Sequence, residues 1–473
     1  MVFSSQIFLF IFLPVVLAFY VVIPKKFRNI SLLVFSFIFY AWTDWVFIIV
    51  LLFYISFDFA FGLLIQKSQT YNEIIQKIIF VFAIIINLGI LLFFKYTNFL
   101  VENINQAFSV NIPIKELIVP LGISFFAFSG ISYLLDVRSG KISASKNPIE
   151  FSLYISFFPK LLQGPIVRFD TFISQISNRE IVPSQVESGL SRIIIGLAKK
   201  VLLADQLGIT VDQIFSKPAM SNLPSVAWLG AIGYALQIYF DFSGYSDIAI
   251  GLGKIFGFTF LENFNNPYHS LSITEFWRRW HISLSSWFRD YLFFPLEIKR
   301  KKVKRFRQET NTIIVFFLTG LWHGASWNFI VWGLLNGIEM ALEKIGINKV
   351  KVKIPNVIKW IFTSVLLIIG WVIFRSSTLG YAFSYLSIMF GVRLPLAENL
   401  PVSWYINNKT IFIYLAGILA CLPWKVILEK VKIVNLTAKG SKYLSTVLLI
   451  LLFLLSSIYI LSSSTNSFIY FKF

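Results

Sequence analysis

Residues 311–342 read NTIIVFFLTGLWHGASWNFIVWGLLNGIEMAL. This apolar run carries one imidazole, His323, set between Trp322 and Gly324. It is long enough to cross a bilayer, which takes about 20 residues. A basic block, KRKKVKRFR (299–307), stands just ahead of it and marks a cytoplasmic end. Read as one helix, the run places His323 roughly 18 Å beyond Asn311 at ~1.5 Å rise per residue, near the bilayer midplane. Gly320, Gly324 and Ser326 keep this stretch thin, so a neighbouring backbone or a substrate has room to approach.

Composition extends that reading to the whole chain. Of 473 residues, 57% are hydrophobic and only 14% charged. A soluble domain is about half apolar with about a quarter of its residues charged, so lipid is the solvent here. Ten to thirteen apolar segments recur from residue 6 to residue 462, including 150–163, 189–207, 225–255, 312–342 and 443–462. The expected fold is an all-α polytopic membrane protein. It is expected to form one integral membrane domain over 1–473, with N-terminal helices in 1–135, a catalytic core in 150–345 that holds His281 and His323, and C-terminal helices in 356–473.

The net charge is +19, which in a soluble protein would suggest nucleic acid. Here the basic residues sit in short loops between apolar runs and act as topology determinants beside membrane lipids, so nucleic acid is not expected as a partner. Clusters at Lys25–Lys26–Arg28, at Lys67 and Lys77, and at Arg138, Lys141 and Lys146 alternate with loops poorer in charge near Asp44 and over 96–116. That alternation puts the N-terminus outside and the clusters inside. The 299–307 block, with seven basic residues in nine, also offers attraction for an anionic cytoplasmic ligand. The lone Cys421 excludes an internal disulfide, and the N-terminal apolar run, lacking a basic lead, reads as a first membrane helix.

Polar groups concentrate mid-chain. QIYFDFSGYSD (237–247) holds Tyr239, Asp241 and Asp247 in an apolar context. Such carboxylates either line a wet cavity or pair with arginines to hold helices in register. Six residues apart, the two do not share a helix face unless Gly244 breaks the helix. Further on, Ser272-Ile-Thr-Glu275 fits a capping box, so a helix should begin at Ile273 and run to about Phe294. It is too charged for an ordinary span and reads as interfacial or re-entrant, with Trp277, His281 and Ser285 on one face. His281 is either a plain interfacial residue or a functional one. His269, in NNPYHS, reads as a loop residue.

A single histidine on an apolar face is commonly a hydrogen-bonded packing residue. Depth argues otherwise for His323, because ionisable groups inside a membrane are functional candidates by default. A buried imidazole favours its neutral form, which accepts a proton. Three dispersed histidines and one cysteine make no metal-ligand set. GxSxG, P-loop and dinucleotide-binding patterns are lacking. What fits is acyl transfer, with His323 taking the proton of a hydroxyl that attacks a thioester, and Asn328 or a backbone N–H facing the oxyanion.

Several stretches resemble the membrane-bound O-acyltransferase family in its bacterial alginate O-acetylation branch. They are VFSSQIFLFIFLP (2–14), LGISFFAFSGISYLLDV (121–137), FFPKLLQGPIVR (157–168), QIYFDFSGYSDIAIGLG (237–253), NFNNPY (263–268), EFWRRWHISLSSWFRDYLFFPL (275–296), LTGLWHGASWNFIVWG (318–333) and FIYFKF (468–473). The resemblance implies about eleven transmembrane helices with re-entrant segments around a cytoplasmic funnel. It implies that His323 and His281 are catalytic. From their own segments, Trp322, Asn328, Trp277, Arg278, Ser285, Tyr239 and Asp241 are expected to line the substrate path. The resemblance also implies a reaction in the bacterial cytoplasmic membrane, without a bound cofactor. Acetyl-CoA, an acyl-CoA, would donate acetyl from the cytoplasm to an extracytoplasmic SGNH-type acyltransferase partner, which places it on a polysaccharide acceptor. One departure is Glu297-Ile-Lys-Arg-Lys-Lys after FFPL, where the family often has a glycine-rich turn.

Two alternatives remain at this stage. One keeps the fold and changes the product to O-acetylated peptidoglycan or D-alanylated teichoic acid. The other is a transporter or channel without chemistry, which the lack of an internal repeat disfavours.

Overall fold

The computed structural model describes residues 1–43, 45–113, 117–346, 354–393, 400–424, 438–462 and 468–469, without the side chains of 178 and 438–442. Asp44 and the last four residues of FIYFKF, 470–473, lie outside the described residues. Among those described, every regular element is a helix. Trp45–Ser68, Glu73–Phe108, Asn356–Arg375 and Tyr443–Ser462 are long and apolar enough to cross a membrane. Phe8–Val22, Leu379–Met389 and Asn408–Ala420 are shorter apolar helices. The protein is therefore an all-helical membrane protein.

The chain forms two compact units, Met1–Ile193 with Ile248–Leu261, and Ile194–Asp247 with Glu262–Phe473. In the first unit, the broken segment expected over 150–163 is present. Helix Pro148–Ser156 starts at Asn147, whose side chain accepts from the Ile149 N–H at 3.0 Å. It stops at Phe157, and Phe158–Leu161 follows with Pro159 in its first turn. Lipid cannot satisfy a broken backbone, so both pieces are buried in protein. The Phe158 N–H donates to Ser36 Oγ at 3.1 Å, and Phe157 packs on Phe258 at 4.8 Å between ring centres.

The second unit corrects two continuous helices expected from the sequence. The 312–342 run is a hairpin: Arg307–His323 ends at the histidine, and Trp327–Gly346 returns beside it. Close approach of the two backbones explains the glycines. A Cβ on Gly320 would stand 2.3 Å from the Phe329 carbonyl oxygen, and one on Gly333 would stand 2.4 Å from that of Phe316. The expected helix from Ile273 to Phe294 is divided into Ile273–Arg279, Ile282–Phe288 and a π-helical turn, Arg289–Phe293. The 189–207 segment is helical as expected, running from Pro183–Ala198 through a π-helical turn, Lys199–Ala204, into Asp205–Phe215.

Gly244 does not break helix Pro224–Ile255. It lets that helix touch its neighbour, since a Cβ there would stand 2.7 Å from the Gly196 carbonyl oxygen. The contact aligns two consecutive lysines with the two carboxylates. Lys199 bonds Asp247 at 2.7 Å, and Lys200 bonds both Asp241 at 2.7 Å and Asp205 at 2.8 Å. The register pairs foreseen for these carboxylates exist, but with lysine in place of arginine.

Candidate active site

Both motif histidines stand where a helix is interrupted. Gly324 follows His323 in an extended conformation and carries the chain into the hairpin turn. His323 is 6% exposed. Its ring lies edge-on to Trp322, Trp332 and Phe374, at 4.8, 5.0 and 5.2 Å between centres. Edge-to-face packing of this kind fixes a ring plane.

The second interruption is at His281, which adopts φ 45° and ψ 53°, the left-handed region. A Cβ-bearing residue there is strained by roughly 1–2 kcal/mol, so surrounding contacts must hold it. Asn263 supplies them from the NFNNPY loop. Its carbonyl accepts from the Ile282 N–H at 3.0 Å, and its side-chain oxygen accepts from the Ser283 N–H at 3.0 Å. Just before the break, the Arg279 carbonyl accepts from the Asn265 N–H at 3.0 Å. The capping box at the start of this segment is as expected, with Ser272 Oγ accepting from the Glu275 N–H at 3.0 Å. The second hydrogen bond of the box goes from the Leu271 N–H to Glu275 at 2.9 Å.

His281 is 1% exposed, and its ring packs against Phe242 at 4.5 Å. Neither ring nitrogen has a hydrogen-bond partner among the described residues. Buried polar groups are normally paired, and His281 stands on the wall of a cavity. His281 and His323 are bridged by Trp322, whose ring centre is 6.4 Å from the first and 4.8 Å from the second.

A cavity of about 830 Å³ reaches both histidines. Helix Arg307–His323 contributes Thr312, Val315, Phe316, Thr319 and His323, a stripe on one helical face. Over those eleven steps it runs roughly 16 Å, at ~1.5 Å per residue, from the basic end of the helix to the imidazole. Arg278, Arg289 and Lys344 add positive charge to the wall. The one carboxylate on it, Glu343, accepts from the backbone N–H groups of Ile273 at 2.6 Å and Thr274 at 2.9 Å.

Of the residues expected along the substrate path, Trp277, Arg278 and Ser285 line this cavity. Trp277, His281 and Ser285 reach it across a broken helix rather than from one continuous face. Trp322, Asn328, Tyr239 and Asp241 are not among its lining residues. Trp322 packs between the histidines. Asn328 gives an amide N–H to the Ser376 carbonyl at 2.5 Å. Tyr239 belongs to an aromatic cluster with Phe264, Tyr268 and Trp280. Asp241 is held by Lys200 and by the Ile469 N–H at 2.8 Å. Trp327, at the start of the returning helix, is 53% exposed. His269 ends a 3-10 turn in the loop, as expected.

Sequence reading missed Asn263, although NFNNPY had drawn notice as a motif. It also missed Thr319, one helical turn before His323, for which that spacing was the signal. The unusual Glu297 anchors the start of the hairpin: it receives Arg307 at 3.0 Å and the Asn311 amide at 2.6 Å. Five basic residues of the block, Lys299, Lys301, Lys302, Lys304 and Arg305, stay exposed.

Comparison with known proteins accords with this geometry. The model of the membrane-bound O-acyltransferase family matches residues 124–384, which include both histidines and the whole cavity wall. The probable alginate O-acetylase of Pseudomonas syringae pv. tomato is 44% identical, over 82% of this chain and 75% of its own length. The peptidoglycan O-acetyltransferase of Helicobacter pylori is 31% identical, over 100% of this chain and 98% of its own. The teichoic acid D-alanyltransferase of Bacillus subtilis is 34% identical, over 48% of this chain and 60% of its own. A cavity reaching two buried imidazoles inside a lipid-embedded helical protein thus has a chemical class, and the chain belongs to the membrane-bound O-acyltransferase family.

Proposed function

We propose that this acyltransferase moves acetyl from a cytoplasmic acyl-CoA, acetyl-CoA, through the membrane for O-acetylation of a cell-surface polysaccharide. The observation that carries this reading is the cavity stripe from Thr312 to His323, which begins beside the basic block and ends at a buried imidazole. Arg278, Arg289 and Lys344 suit a phosphate-bearing donor. His323 accepts the hydroxyl proton as the oxygen attacks the thioester carbonyl. The new C–O bond forms, the C–S bond breaks, and the proton passes to the departing thiolate. General-base help of this kind is worth typically ~10²–10⁴-fold. His281, with both nitrogens open, hydrogen-bonds a reactant and orients it.

In this reading the chain works as one domain of about eleven crossings in a bacterial cytoplasmic membrane. It hands acetyl to an extracytoplasmic SGNH-type partner that modifies the glycan. Family membership removes the transporter alternative. A second acceptor, peptidoglycan, is favoured by the full-length match to the peptidoglycan O-acetyltransferase. The D-alanyl relative matches only about half of the chain.

The test is His323→Ala in a strain lacking the native gene. Mass spectrometry of the surface glycan should show acetyl lost, with the variant still present in the membrane at normal level. Unchanged acetylation would sink the mechanism.

A further inference from the structure

Trp277 stands in the cavity wall, yet its orientation is set by a residue outside the lining. The Trp277 indole N–H donates to Asn336 Oδ1 at 3.0 Å, and this bond is buried. Asn336 is itself 3% exposed. Its amide N–H donates to the Trp332 carbonyl one turn back at 2.8 Å, which holds the amide with its oxygen toward the indole. Trp332 lies edge-on to Trp277 at 5.5 Å and to His323 at 5.0 Å. The Trp277 plate of the cavity and the proposed base therefore both pack on one tryptophan, Trp332, and Asn336 fixes the plate.

We propose that Asn336 is a positioning residue that locks the Trp277 indole as a stop for the acyl chain, and so restricts the site beside His323 to short acyl groups. This rests on the reading of His323 as the acyl-transfer centre. The physical reason is directional. Phe316, at 5.3 Å, and Trp332 confine the indole by packing, but packing alone permits a ring to slide. The buried hydrogen bond gives it a single angle, because turning away would leave the N–H and Asn336 Oδ1 unpaired. A plate held at one angle rejects extra methylenes; a loose one yields to them. In an apolar pocket one methylene changes selectivity about tenfold or more.

The experiment measures transfer of labelled acyl groups to the surface glycan in membranes from a gene-deleted host carrying each variant. Acetyl-CoA and butyryl-CoA are the two donors. With the wild-type chain, acetyl should be preferred. Asn336→Leu should lower that preference about tenfold, chiefly through a lower KM for butyryl-CoA. Asn336→Asp, which presents the same acceptor, should keep it. Trp277→Phe should lower the preference about as much as Asn336→Leu does, and the two combined should add nothing further, since both act on one ring. A structural role alone would lower protein level or both rates together and leave the ratio unchanged. An unchanged ratio with active membranes overturns the inference and leaves the proposed function standing. No transfer from acetyl-CoA with the wild-type chain overturns the proposed function and the inference with it.

Discussion

Asn263 shows how much of this site depends on one uncharged side chain. Its two oxygens hold the N-terminus of the helix that follows His281. Asn263→Ala leaves the Ser283 N–H buried without its acceptor, at a cost of about 1–3 kcal/mol. The larger effect should be on geometry, because the His281 backbone loses what keeps it left-handed. We expect glycan acetylation to fall at least about tenfold at unchanged membrane level, while Asn263→Asp, which keeps the acceptor, retains most of it. Quantifying glycan acetyl against immunodetected protein checks both. His323 and His281 were legible in the sequence because a titratable ring in an apolar run is conspicuous. Asn263 was not, since an asparagine in a loop looks the same whether it faces water or staples a break. Polarity also marks out Asp241 and Tyr239, which stand outside this cavity's lining, Asp241 on Lys200 and Tyr239 in an aromatic cluster.

At the scale of the element, the hairpin of Arg307–His323 and Trp327–Gly346 is held by glycines that permit backbone contact. Gly320→Val would force its Cβ toward the Phe329 carbonyl, which no rotamer relieves. Overpacking of this kind costs typically about 1–3 kcal/mol. The expected outcome is a lower midpoint of thermal inactivation in detergent, together with lost transfer because His323 lies on the next turn. An unchanged midpoint would mean that the two helices separate without penalty. Hydropathy could not reveal this hairpin, because every residue across 321–331 except His323, Ser326 and Asn328 suits lipid or a tight turn equally well. The turn was written only in Gly324-Ala-Ser, which also reads as a thin stretch of helix. The break at His281 had still less signal, since histidine is no helix breaker and its left-handed backbone is imposed from Asn263. By contrast, the start at Ile273 was legible because a capping box is a local device whose partners lie within four residues.

For the whole molecule, composition alone fixed the solvent and the helical class, while the number of crossings depends on where helices break and so was not readable from apolar length. The charge distribution makes a separate claim. The exposed cations after Glu297 stand at the end of the hairpin from which the cavity stripe begins. Their field acts before chemistry, on the encounter with an anionic donor. Changing Lys301, Lys302, Lys304 and Arg305 together to glutamine should raise the KM for acetyl-CoA several-fold and leave kcat unchanged. The variant should also be less sensitive to ionic strength than the parent. Initial rates at two salt concentrations decide it; a fall in kcat with KM unchanged would rule out an encounter role.

The left-handed backbone at His281 has a use in the hands of an experimenter. Glycine alone occupies that conformation without strain, so His281→Gly removes the ring and relaxes the chain in one step, whereas His281→Ala removes the ring and keeps the strain. The two variants differ by one methyl group, and the glycine variant should be the more heat-resistant by about 1 kcal/mol. The space it vacates lies on the wall of an open cavity. Imidazole supplied in solution can then diffuse back to the missing position, and recovered transfer in its presence would separate what the ring does from what the fold requires.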